Sequence, residues 1–258
     1  MKKILKKSTI QWGQFKFQEA LGRLTQKKRL HFLHIGKTGG SVTKDALRSL
    51  SGNRRFSSSP DYFIYLYRHD FTLQDVPQGE GVIVFLRDPI TRFTSGFYSR
   101  LREGKPKFNV PWSRNEKIAF GHFSTPNQLA LALGAKDPEE RARAEHAMTH
   151  IGHIKKPYSF WLKDAEYLHE RRDDLFFIGF QEQLSHDFEA LKAKLGLPEG
   201  LNLRADEVGA HKTPGHFDRH LNPDAIANIQ AWYATDYKIV EACQSIRAEL
   251  ISAFSEKK

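Results

Sequence analysis

The sequence predicts a mixed α/β domain with a central, mainly parallel sheet flanked by helices. Three observations carry that prediction. Short apolar runs of strand length recur at residues 31–35, 63–67, 82–86 and 175–180. Helix-capable stretches separate most of them, as crossover connections between parallel strands require. The first and third runs lead directly into loops rich in basic and hydroxyl groups, where an open parallel sheet places its ligand crevice.

The length of 258 residues suits one large domain with an ample core. Charged residues at 27% and hydrophobic ones at 40% are ordinary values for a soluble protein. The formal net charge of +10 is unevenly spread: residues 1–30 hold nine Lys and Arg against the single acid Glu19. The rest of the chain is therefore nearly balanced, so a basic nucleic-acid-binding surface over the whole protein is excluded and no nucleic-acid partner is expected. The division read from this is a basic leader or arm, residues 1–30, and a single domain, residues 31–258, with a lid-like insertion around 101–125. The arm reads as a solvated leader packed by Trp12, Phe15, Phe17 and Leu21; the other reading is peripheral contact with a membrane surface or acidic polymer. Cys243 is the single cysteine and suits a reducing compartment. No apolar run approaches the length of a membrane span, and the N-terminus lacks the apolar segment of a signal peptide. The expected location is the cytoplasm.

In chain order, HFLHI (31–35) is the first buried strand and SVTKDALRSL (41–50) its crossover helix, with a stop near Gly52. Between them lies an anion cradle. Gly36, Gly39 and Gly40 let backbone N–H groups converge, and the helix N-terminus adds about half a positive charge. Lys37 supplies a full charge, and Thr38 and Ser41 supply hydroxyls. A ligand bearing phosphate or sulfate is implied. Gly36-Lys37-Thr38 matches the end of the nucleotide-binding pattern G-x-x-x-x-G-K-[ST], but the first glycine would fall on His31, so that pattern fails.

Residues 51–60 read as a polar loop and 63–67 as a second strand, ending in Arg68, His69 and Asp70. A turn from Pro77 to Gly81 leads into the third strand, 82–86, and then into RDPITRFTSGFYSR, residues 87–100. Asp88 is suited to cap a helix and Pro89 to open it. Arg87 leaves the strand end and Ser95 lies about two helical turns on, so a guanidinium fork and a hydroxyl can converge on one phosphate. His69 lies within reach of the same crevice, and an imidazole with a pKa of about 6.5 accepts a hydroxyl proton at neutral pH. It is the candidate base, with Asp70 orienting its ring or capping a turn. His34, inside the first strand, reads as packed.

Residues 101–123 read as loop with short helical pieces, and 124–133 and 137–150 as helices. Residues 158–170 carry apolar groups near helical spacing. The strand at 175–180 leads into a helix that buries Leu184, Phe188, Leu191 and Leu195, with Glu182 as a capping or packing residue. Residues 200–220 are loop-like and hold His211, Lys212, His216, Arg219 and His220; their spacing matches no zinc site, and no metal is expected. Asn222-Pro223 opens the C-terminal helices, with Thr235 as the cap of their continuation.

The order I-x-K-T-G-G-[ST] at 35–41, with its glycines after the lysine, resembles the 5'-phosphosulfate loop of sulfotransferases that use 3'-phosphoadenosine 5'-phosphosulfate (PAPS). Residues 87–97 resemble the family's 3'-phosphate segment, R-[DN]-P-x-x-R-x-x-S-x-[FY], including the step from Arg87 to Ser95. Tyr233-x-x-Asp236-Tyr237 is similar to a terminal family signature. The likeness is closest to the carbohydrate branch, with heparan 2-O and Golgi-type members, here in a soluble bacterial form. The resemblance implies a P-loop NTPase-like three-layer fold, PAPS as donor and 3'-phosphoadenosine 5'-phosphate as product. It implies donor contacts from Gly36, Lys37, Thr38, Gly39, Gly40, Ser41, Val42, Arg87 and Ser95, with Lys212, or Arg219 as runner-up, returning to the 3'-phosphate. Lys37 and His69 would be catalytic. The acceptor would be a hydroxyl on a carbohydrate or glycosylated metabolite, met in the lid by Asn109, Trp112, Arg114, His122 and Asn127. Two other readings are a P-loop-like nucleotide or small-molecule kinase, which requires a full Walker loop and carboxylates for magnesium, and a non-catalytic acidic-polymer binder.

Overall fold

The computed structural model describes residues 22–53, 55–204, 215 and 217–255. Five strands form one sheet in the order β2-β3-β1-β4-β5: β1 (Lys28–Leu33), β2 (Phe56–Ser58), β3 (Tyr62–Leu66), β4 (Gly81–Leu86) and β5 (Leu175–Phe180). β1 runs parallel to β3 and β4, β4 runs parallel to β5, and β2 alone is antiparallel, to β3. β1 begins at Lys28, so the sheet reaches into the last residues of the segment read as an arm. The polar loop expected at 51–60 contains β2, which corrects that reading. Ser57 is buried and its Oγ donates to the Leu47 carbonyl (2.6 Å), tying this strand to the helix before it.

The helices are α1 (Gly40–Ser51), α2 (Pro89–Leu101), α3 (Arg114–His122), α4 (Pro126–Ala132), α5 (Pro138–His150), α6 (Ser159–Leu162), α7 (Ala165–Glu170), α8 (Leu184–Leu195), α9 (Pro223–Trp232) and α10 (Ala234–Ser255). Residues 158–170 are two helices because the chain breaks at Lys163, whose φ is 68°, and restarts at Asp164, which caps α7 by accepting from the Tyr167 N–H. α10 begins one residue before Thr235.

The layers follow from the two-residue period of the strands. Leu30, Phe32, Ile64, Leu66, Ile83 and Phe85 face Ala46 and Leu47 of α1 and Phe188, Leu191 and Leu195 of α8. On the other face, Leu33, Phe63, Tyr65, Val82 and Val84 pack with Tyr158, Trp161 and Leu162 near α6 and with Ile239, Cys243 and Ile246 of α10. A third cluster joins Phe93 and Phe97 of α2 to α3, α4, α5 and α9. α8 also serves the free edge of β5: Asp187 accepts from the Phe180 N–H (2.6 Å) and Lys194 donates to the Phe176 carbonyl (2.7 Å). Arg247 of α10 clamps Asp187 with two bonds of 2.6 and 2.9 Å. Among the described residues, no helix is long and apolar enough to cross a membrane.

Candidate active site

A cleft of about 1540 Å³ opens at the C-terminal ends of the central strands. Lys37, Gly39, Gly40, Ser41 and Val42 line it from the β1–α1 segment, Arg87 from just after β4, Ser95 from the middle of α2, and His69 from beyond the end of β3. Two loops and a histidine far apart in sequence thus meet in one crevice. Lys212 lies outside the described residues; Arg219 lines the cleft. Thr38 differs from the expectation: it is buried, and its hydroxyl donates to the Ile35 carbonyl (3.1 Å), bracing the turn from inside.

The turn has the backbone of an anion site. Lys37 and Gly39 have φ of 70° and 83°, with Thr38 between them in the ordinary region, and such alternation points successive N–H groups to one side. Gly39 caps α1 without a side chain, and a Cβ there would approach Leu184 Cδ2 to 2.8 Å. The first turn of α1 therefore presents its N–H groups to the cleft.

The charges in the crevice are predominantly positive. Lys37 is half-buried, and burial, with Arg102 and Arg87 nearby, presses its ammonium down to about 7. Arg87 sits across the turn, its Nη1 3.5 Å from the Lys37 carbonyl and its Nε donating to Thr91 Oγ1 (3.0 Å). Neither is ion-paired among the described residues. The two carboxylates lining the cleft are both engaged: Asp45 by Arg48 and Lys107, and Glu116 by Arg100 and the N–H groups of Ser113 and Gly152. An arrangement of this kind favours a polyanion.

His69 is half-buried and oriented by the backbone. Its Nδ1 lies 3.0 Å from the His34 carbonyl, so Nδ1 carries the proton and Nε2 keeps a lone pair. Asp70 does not orient the ring; it accepts from Lys156 (2.8 Å). Burial, aided by Lys44 and Lys156, pushes the imidazole down to about 4, so it is neutral near pH 7. His34, expected inside the strand, lies one residue beyond β1 and lines the cleft. Its ring sits 4.0 Å from that of His69, between Lys44 Nζ on Nδ1 (3.2 Å) and Ser41 Oγ on Nε2 (3.4 Å). Lys44 is buried, also donates to the Tyr67 carbonyl, and is pressed down to about 7 by burial first.

Arg92 is a support rather than a ligand group. It is buried, donates from Nε to the Gly36 carbonyl (3.1 Å) and from Nη2 to the carbonyls of Lys156 (2.7 Å) and His153 (3.3 Å). It faces Asp236 at 3.8 Å and lies 4.7 Å over the Tyr158 ring. Glu182 accepts from the Asp88 N–H (2.9 Å), in keeping with the capping or packing role expected of it. Among the residues expected to meet an acceptor, Trp112 lines the cleft but donates to the Arg100 carbonyl (2.7 Å) and packs on Phe120. Asn127 accepts from the Asn222 N–H, and Asn109, Arg114 and His122 do not line the cleft. His153 and Lys44 were not singled out in sequence. Lys44 lies in the first turns of α1, just after the glycine turn, while Lys37 precedes the helix; His153 has no local signal.

The arrangement can hold a multiply charged anion against a neutral imidazole poised to accept a proton. No curated protein and no solved structure matches the chain. The model of the Sulfotransferase family matches residues 23–239, most of the chain and every element from β1 to α9. With that match spanning both anion-facing turns and the P-loop-like sheet that carries them, the chain belongs to the sulfotransferase family and is a sulfotransferase enzyme.

Proposed function

We propose that the enzyme transfers the sulfuryl group of PAPS to a hydroxyl of a carbohydrate or glycosylated metabolite, as a cytoplasmic protein. The observation that carries the donor assignment is the convergence of Lys37 and Arg87 from two strand ends, neither ion-paired among the described residues. In this reading the β1–α1 turn from Gly36 to Val42 takes the 5'-phosphosulfate, while Arg87 and Ser95 take the 3'-phosphate. Lys212, outside the described residues, or Arg219 adds a second charge there. The acceptor hydroxyl gives its proton to His69 Nε2 as its oxygen bonds to sulfur and the bond from sulfur to the bridging phosphate oxygen breaks. Lys37 meets the charge that grows on that oxygen. The donor's negative charge also lifts His69 from its depressed value, making it a better base when the donor is bound.

The kinase alternative calls for a carboxylate ready for magnesium, whereas Asp45 and Glu116 are held by cations. A rim of Phe108, Trp112 and basic side chains supports an acceptor with sugar faces and polar groups. Calorimetric titration tests the donor: 3'-phosphoadenosine 5'-phosphate should bind at least about tenfold more tightly than ADP, because ADP leaves Arg87 and Ser95 unanswered. Equal affinities would remove the donor assignment. A screen with labelled PAPS over neutral sugars, anionic polysaccharides, lipid-linked glycans and phenols tests the acceptor; transfer to phenols alone would overturn the carbohydrate assignment.

A further inference from the structure

The loop between α5 and α6 sets His153 against the β1–α1 turn. Its φ is 69°, a left-handed backbone that glycine adopts freely and histidine seldom does. Arg92 fixes the loop through the carbonyls of His153 and Lys156, and Glu116 fixes it through the Gly152 N–H. The ring lines the cleft with its centroid 6.1 Å from that of His69, and among the described residues no hydrogen bond reaches it. Gly36 allows this approach: a Cβ there would come within 3.1 Å of His153 Nδ1 and 3.9 Å of the His69 ring. A strained, braced residue with an unused ring, beside the turn that carries Lys37, is arranged for a ligand rather than for packing.

We propose that His153 contacts the transferable sulfuryl group of the donor, giving an N–H to one of its oxygens. The inference rests on the donor assignment above. Burial first, and Lys37 next, hold the imidazole well below its ordinary value, so the ring is neutral and carries one N–H in either tautomer.

A contact with the sulfuryl group, and not with the nucleotide, predicts a loss that depends on the ligand. His153→Gly relieves the left-handed backbone, so its melting temperature should equal or exceed that of the unaltered protein. Its affinity for PAPS should fall about tenfold, as loss of a hydrogen bond to a charged group predicts, with less than about a twofold change for 3'-phosphoadenosine 5'-phosphate. His153→Asn tolerates the same backbone and keeps an N–H, so it should recover most of the PAPS affinity. Equal losses for the two nucleotides, or none for either, would overturn the contact while leaving the donor assignment in place. A lower melting temperature in His153→Gly with an equal loss in both variants would assign the residue to the loop's structure and overturn the proposal. Failure of the unaltered protein to bind either nucleotide would overturn the donor assignment and this inference with it.

Discussion

After β1 the chain passes through Lys37 and Gly39 in left-handed backbone, into a helix that has no side-chain cap, beside a lysine pressed down to about 7. After β4 the polar groups are answered. Tyr158 accepts from the Arg87 N–H (2.9 Å) and donates to its carbonyl (2.6 Å), Asp88 caps α2 by accepting from the Thr91 N–H, and Glu182 holds the Asp88 N–H. Five residues on, Arg92 donates to the Gly36 carbonyl of the other turn and to the His153 and Lys156 carbonyls of the loop between α5 and α6. The second turn is therefore a finished structure that presents Arg87, while the first leaves the N–H groups at the start of α1 facing the cleft. The contrast separates residues that hold the site from residues that use it, even within one short motif.

Arg92 ties the two turns together. Its replacement by alanine leaves Asp236 buried without its cation and three carbonyls without a donor, and should cost about 3–5 kcal/mol of stability in urea unfolding. A loss under about 1 kcal/mol would show that the two turns hold themselves. Lys37→Ala should do the reverse, lowering kcat about 10²–10³-fold with saturating donor while the melting temperature stays level or rises, because a poorly compensated charge is removed. Unchanged kcat would place Lys37 outside the reacting centre. Arg87→Ala should leave stability within about 1 kcal/mol and weaken 3'-phosphoadenosine 5'-phosphate by about 10–100-fold, with little effect on ADP. A uniform loss for both nucleotides would move the 3'-phosphate elsewhere.

The smallest effect is on the pH profile. Lys37 has its folded value pressed from 10.5 to about 7 by burial first and by Arg102 and Arg87 next. Between those values the unfolded chain holds a proton that the folded chain has released, so stability rises as pH climbs from about 7 and levels off near 10.5. Lys44, also at about 7, adds a parallel rise. Lys37→Met should therefore reduce this slope without abolishing it, and saturating 3'-phosphoadenosine 5'-phosphate should flatten it by keeping both lysines charged. A slope unchanged in Lys37→Met would mean that the folded lysine keeps its proton.

Much of the sheet was legible because its strands are continuous apolar runs: β5 falls at the expected residues and β3 and β4 within one. β2 was not, since three residues carry no periodicity and their pairing is imposed by β3. The cleft's two turns were legible because their chemistry is local, a glycine turn and a capped helix start. Arg92 looked like a member of a phosphate segment, and only the packed structure reveals that its guanidinium is buried. His153 was invisible for the opposite reason, since no neighbour in sequence explains it and tertiary contacts bring it to Gly36. A polar side chain such as Asn127 reads from sequence as a ligand group, whereas the fold engages it with a distant backbone N–H.

The side chains that α8 lends to β5 bear on how this protein behaves in a crowded solution. LFFIGF at the rim of a sheet is the kind of segment on which another chain can build a further strand, and stacking of that sort leads to fibrils. Asp187 occupies the Phe180 N–H and Lys194 the Phe176 carbonyl, so an incoming strand meets taken bonds and two charged groups. Arg247 keeps Asp187 in place from α10. The last helix thereby contributes to colloidal stability, and Asp187→Ala should shorten the lag before light scattering appears on mild heating.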